Sequence, residues 1–176
     1  MTPIRGSLSN PKLDSVDITW DPGLTRWNDV GTSKRPLLDK NGFYGIVVGR
    51  FDAKENMWKD CGVQFIGMAF DQTLRQRLLK PHDADPSIDA EVNANLGYER
   101  AVMVGALTRS SLGKVSWDLV NAVECCLIFS NQPPCNTKCK DAYSGKGEVQ
   151  VTNLGDFAPL KNESRCSPTS IPAPPQ

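Results

Sequence analysis

Apolar and polar positions alternate over two early stretches of the chain, FYGIVVGR at 43–50 and GVQFIGM at 62–68. β-Branched and aromatic residues dominate both, which predicts two strands. FDAKENMWKDC joins them with charges at its centre, so an antiparallel β-hairpin is the simplest pairing. In AFDQTLRQRLLKPH, Leu74 and Leu78 form an i,i+4 apolar pair, Asp71 is placed to cap a short helix, and Pro81 stops it. Residues 83–97 are acidic and turn-rich and read as a loop. YERAVMVGAL at 98–107 predicts a third strand, and GEVQVT at 147–152 a late one. Between them SWDLVNAVECCLIFSN, 116–131, predicts a long helix with Ser116 as its N-cap. The order ββαβα with decorations gives a small α+β, or mixed α/β, domain.

The two ends have a different texture. Residues 1–40 are rich in Pro, Gly, Asp and Ser and read as an irregular N-terminal arm, pinned to the body by Trp20 and Trp27. Residues 41–160 form the expected domain, and 161–176 a Pro/Ser-rich tail. Hydrophobic residues make up 39% of the 176, ordinary for a globular protein. Lys+Arg and Asp+Glu are 20 each, so polyanion binding requires a local basic patch rather than a global field. No run of about 18 apolar residues predicts a membrane span. The opening MTPIRGSLSNPKLDSVD lacks a secretory apolar core, so a cytoplasmic location with six reduced cysteines is expected.

One charge sits in an unusual place. On the helix at 116–131, Glu124 projects between Val120 and Ile128, and apolar side chains cover most of the remaining circumference. A carboxylate there needs a wet edge, an arginine partner, neutralisation or a metal ion. Arg75 and Arg77 on the short helix are either a solvated face or a phosphate clamp, because guanidinium presents fixed donors to phosphate oxygens.

Together these segments resemble the GIY-YIG nuclease superfamily. Gly42-Phe43-Tyr44 stands for the first motif and Phe65-Ile66-Gly67 for the second. Arg77, followed by Leu78, falls at the position of the helix arginine. In ECCLIFSNQPPCN, Glu124, Leu127, Ile128, Pro133 and Asn136 follow the spacing of the family's last motif. The resemblance covers about residues 41–137 and implies a mostly antiparallel three-stranded sheet flanked by helices. It further implies a Mg²⁺-dependent DNA endonuclease, restriction-like in layout, with Mn²⁺ able to substitute. Glu124 would be the metal ligand, Arg77 would neutralise non-bridging phosphate oxygens, and Tyr44 would activate water or relay its proton. Asn136 would hold a loop or a phosphate at the rim. Arg75, Lys80 and Lys59 are the expected DNA contacts, and one site per chain makes a homodimer the form suited to cutting both strands.

Three departures bear on this reading. Phe65 replaces the second motif's tyrosine and lacks its hydroxyl. The link between the hairpin strands is longer than in compact members, offering Lys54, Trp58 and Lys59 to DNA or serving as a plain loop. The single histidine, His82, comes five residues after Arg77, where it is either a proton carrier or a helix-end surface residue, with Tyr98 as the other candidate for its role. A zinc site through Cys135 and Cys139 is a further alternative, short of the second close pair that a structural zinc uses. A catalytically weak member that binds nucleic acid or protein is the rival function.

Overall fold

A computed structural model of the chain describes residues 13–170. The far ends of the expected arm and tail, 1–12 and 171–176, lie outside the described residues. Strands β1 (Asp14–Trp20), β2 (Thr25–Arg26), β3 (Gly42–Asp52), β4 (Met57–Ala69), β5 (Tyr98–Ser110), β6 (Val149–Gly155) and β7 (Glu163–Cys166) form one sheet. Its order is β4-β3-β5-β1-β6-β7, with β2 also pairing with β5. The β1–β6 pair is parallel and the others are antiparallel. Helices α1 (Leu74–Leu78), α2 (Asp85–Ala94) and α3 (Trp117–Asn131) and two short 3-10 turns, Trp27–Asp29 and Pro36–Asp39, are the other regular elements of the described residues.

This corrects the expected three-stranded sheet flanked by helices: the sheet is larger, mixed, and curled into a half-barrel. The hairpin β3–β4 forms as expected, with Tyr44 opposite Gly67, and β5 pairs along β3's other edge. The supposed arm supplies a central strand. Val16, Ile18 and Trp20 alternate inward on β1 and are almost wholly buried. Residues 83–97 were expected as a loop, yet α2 forms there: Pro86 is tolerated in the first turn, and Ile88 and Val92 make one apolar stripe. The tail contributes β7, whose Ser164 and Cys166 point inward. The cap of α1 is Thr73, not Asp71; its hydroxyl accepts from Gln76 N–H at 3.1 Å while the Gln76 side chain accepts from Thr73 N–H.

The two faces of the sheet carry separate cores. One packs β1, β6 and Phe43 of β3 against α3. The other packs Tyr44, Ile46 and Val48 of β3 against Leu74, Leu78 and Ile88 of the two short helices. Trp20 fits the first because Gly105 lies beneath its ring, where a Cβ would come within 2.8 Å. Its indole N–H donates to Asn153 Oδ1 at 2.9 Å, and Asn153 Nδ2 donates to the Lys161 carbonyl at 2.7 Å. Asn153→Ala strips the buried Trp20 indole and the part-buried Lys161 carbonyl of their partners and is expected to cost about 1–3 kcal/mol in urea unfolding.

The six-thiol expectation is also corrected. Cys125 is bonded to Cys139 and Cys126 to Cys166, leaving Cys61 and Cys135 free. Adjacent helix positions point about 100° apart. The neighbouring cysteines therefore reach different targets: the loop after α3, and β7. Cys139 is thus paired with Cys125 and not set beside Cys135 for zinc.

Candidate active site

Tyr44 extends from near the start of β3 across the hairpin, and its ring lies over Gly67. A Cβ there would come within 2.5 Å of the phenol oxygen, so the glycine of Phe65-Ile66-Gly67 clears space for the tyrosine. The Tyr44 hydroxyl is 3.1 Å from His82 Nε2. Phe65 stacks on Tyr44 at 6.2 Å between centroids, and its ring meets His82 edge-on at 6.0 Å, as does Trp27. His82 is 5% exposed, so it is no surface histidine, and its Nδ1 has no partner among the described residues.

Burial governs the protonation of these groups. It raises the Tyr44 phenol well above its ordinary value, Arg77 pulling down while Glu124 and Asp85 add to the rise. It lowers His82 to about 4, with Arg77 and Arg100 acting alike and Asp85 opposing. Burial also pushes the Glu124 carboxyl up to about 7, against a backbone hydrogen bond from Met68 and the charges of Lys138 and Arg77. At neutral pH Tyr44 is therefore protonated, His82 neutral and Glu124 divided between its two forms. Arg77 is the permanent charge of the four. Its half-buried side chain makes no hydrogen bond or ion pair among the described residues.

Glu124 stands on α3, across the sheet from Tyr44, and is linked to this group only through charge, past β4, the outermost strand. The Cys135 N–H donates to the Gln64 carbonyl at 2.9 Å. Asn136 is buried and clamps Ile66 twice, accepting from its N–H at 2.8 Å and donating to its carbonyl at 2.9 Å. By strand alternation Met68 is the next residue to turn its N–H outward, to the side from which it holds the Glu124 carboxyl down against burial. The segment with the last motif thus caps the edge, and Asn136 holds a strand.

The remaining expected residues lie elsewhere or are engaged. Arg75 pairs with Asp39 at 2.7 Å and donates to the Val30 carbonyl and, at 2.8 Å, to the Ser33 carbonyl. Lys59 pairs with Asp52 at 2.7 Å and lies eight positions from Gly67 on β4, roughly 26 Å away at strand spacing. Lys80 is exposed at the end of α1 and donates to Gln72 at 2.7 Å.

Sequence reasoning missed Asp85 and Arg100, and took Trp27 for an anchor alone. Asp85 accepts from the His82 N–H at 2.8 Å and pairs with Arg100, whose guanidinium lies 3.5 Å over the Trp27 ring. The signal was present: Arg100 shares a strand face with Val102 and Val104, an anomaly of the same kind as Glu124. Tyr44→Phe removes the hydrogen-bond partner of His82 Nε2 and is expected to destabilise the fold by about 1–2 kcal/mol in urea.

Could these residues hold a metal? Glu124 is a part-buried carboxylate with no side-chain hydrogen bond or ion pair among the described residues, so its oxygen lone pairs are open. No cluster of three or more His, Cys, Asp or Glu suited to a metal occurs among the described residues. That donor set fits a hydrated hard cation such as Mg²⁺, which needs one or two protein carboxylates. Comparisons with family models, curated proteins and solved structures find no match. Among the described residues no helix is long and apolar enough to cross a membrane.

Proposed function

We propose that the chain is a divalent-metal-dependent endonuclease of the GIY-YIG kind that hydrolyses DNA phosphodiester bonds. One observation carries this reading. Arg77 bears on the charge of all three of Tyr44, His82 and Glu124, which come from separate segments, and its side chain has no hydrogen-bond or ion-pair partner among the described residues. A site whose uncommitted guanidinium, Arg77, stands beside an arginine already paired with Asp85 suits a phosphodiester anion.

In this reading Arg77 binds the non-bridging oxygens. Mg²⁺, held by Glu124, would stabilise the leaving oxygen. The Tyr44 hydroxyl and His82 Nε2 share a proton, with Nδ1 as the open end of that relay. Bound phosphate neutralises Arg77 and so relieves part of the depression on His82, making the imidazole more basic once substrate has arrived. Two disulfides suit an oxidising compartment better than the cytoplasm, so the enzyme acts outside a reducing cytosol.

A second reading rests on the 1% exposure of Tyr44. A phenol so enclosed, stacked beneath Phe65, suits a module that binds nucleic acid without cutting it. Supercoiled plasmid incubated with the oxidised protein separates the two. Nicked or linear product in Mg²⁺ or Mn²⁺, abolished by chelation, is expected for the enzyme. Plasmid left intact across metals, with Arg77-dependent DNA binding, overturns it in favour of the binder.

A further inference from the structure

The two cross-links differ in what protects them. Cys126 and Cys166 are 0% and 1% exposed, deep in the core beneath α3. Cys125 is buried at 3%, but its partner Cys139 is only half-buried, on the loop that follows α3. That loop also carries Cys135 and Asn136, which cap the open edge of β4. Glu124 immediately precedes Cys125, and Phe65 lies between the two capped residues Gln64 and Ile66. The accessible cross-link thus ties the edge cap to the helix that carries the site's carboxylate.

We propose that Cys125–Cys139 is a thiol–disulfide modification site, reduced by a dithiol, whose opening releases the β4 edge cap and disassembles the site. In its consequence for cleavage the proposal rests on the nuclease reading. A thiolate of the reductant attacks Cys139 Sγ, the more open sulfur, and Cys125 departs as thiolate. The reductant's second thiol then breaks the mixed disulfide and frees Cys139. Two electrons pass to the protein, two protons end on Cys125 and Cys139, and the reductant leaves as its own disulfide.

Reduction leaves weaker ties on the loop. Gln132 Nε2 donates to the Phe129 carbonyl at 2.7 Å and to the Lys140 carbonyl at 2.9 Å. The second of these still ties Lys140, the residue after Cys139, to the helix end, but by a single neutral hydrogen bond where the disulfide had been a covalent link. The Cys126–Cys166 bond keeps α3 on β7, so the change stays local. The protein would be silent in a reducing cytosol and complete once oxidised, which keeps a nuclease from the DNA of the cell that makes it.

Oxidised full-length protein treated with graded dithiothreitol tests this, with differential alkylation to assign thiols and amide hydrogen exchange to follow the edge. Expected is reduction of Cys125–Cys139 before Cys126–Cys166. Exchange should then quicken at least tenfold at Ile66, Met68 and Cys135 while β6 stays protected, and plasmid cleavage should fall at least tenfold and return on reoxidation. Cys125→Ser with Cys139→Ser should reproduce the exchange pattern without reductant. Earlier loss of Cys126–Cys166, or unchanged exchange at Ile66 and Met68 after Cys125–Cys139 opens, would overturn the proposal. Faster edge exchange with no cleavage in either redox state supports the cross-link and sinks the nuclease reading instead.

Discussion

Arg77→Ala is expected to slow plasmid cleavage by about 10²–10³-fold, the usual cost of losing one preorganised group that stabilises transition-state charge. Stability should hardly change, because the Arg77 side chain makes no hydrogen bond or ion pair among the described residues. Arg75 provides the contrast two positions earlier. Its donors are committed to Asp39, Val30 and Ser33, so Arg75→Ala is expected to cost about 2 kcal/mol of stability and to affect cleavage mainly through folding. Rates of plasmid nicking together with urea midpoints separate the two arginines. Equal effects of both substitutions on stability would remove the distinction between a substrate-facing and a structural guanidinium.

Glu124 and His82 should tilt stability in opposite directions with pH. The Glu124 carboxyl titrates at about 7 in the fold and near 4.5 when unfolded. The folded state therefore binds more protons between those values, and stability falls as pH rises through them. His82 runs the other way: about 4 folded and 6.5 unfolded, so its contribution is lost as pH falls from 6.5 to 4. Each is worth up to about 3 kcal/mol. Between pH 4.5 and 6.5 the two slopes cancel, and these groups leave the wild-type profile flat. Glu124→Gln unmasks the histidine, giving stability that climbs with pH to 6.5. His82→Gln unmasks the carboxylate, giving stability that declines from 4.5 to 7. In chelator at pH 8, Glu124→Gln is expected to exceed the wild type in stability by up to about 3 kcal/mol, and with Mg²⁺ restored it is expected to fail to cleave DNA where the wild type cleaves. Urea unfolding across pH 4–8 checks both slopes. Parallel profiles for the two variants would contradict the assigned burial.

What could be read in advance followed the range of the forces involved. The hairpin was legible because Tyr44 and Gly67 pair through a local turn and the apolar pattern repeats every second residue. Helix α3 was legible because its Ser116 cap and long apolar run are also local, and Glu124 stood out against that run. By contrast β1 pairs in parallel with β6, Val16 facing Val151. Local composition carries no trace of that partner, and the Pro and Gly flanking SVDITW masked its alternation. Helix α2 was hidden because its apolar stripe is narrow, Ile88 and Val92 amid Asp, Ser and Asn. The disulfides were misread through compartment: the thiols were expected to be reduced, and pairing depends on three-dimensional proximity. The departures that counted against Phe65 and His82 take another sense in the fold, since both rings enclose Tyr44.

The claim that Glu124, Arg77, Tyr44 and His82 form one cation-supported site is tested most directly by titrating the oxidised protein with Mn²⁺ while following ring and guanidinium NMR signals. Paramagnetic broadening of the Tyr44, His82 and Arg77 resonances in the wild type, absent in Glu124→Gln, is the expected result. Broadening centred away from these residues, or persisting undiminished without the carboxylate, would contradict it.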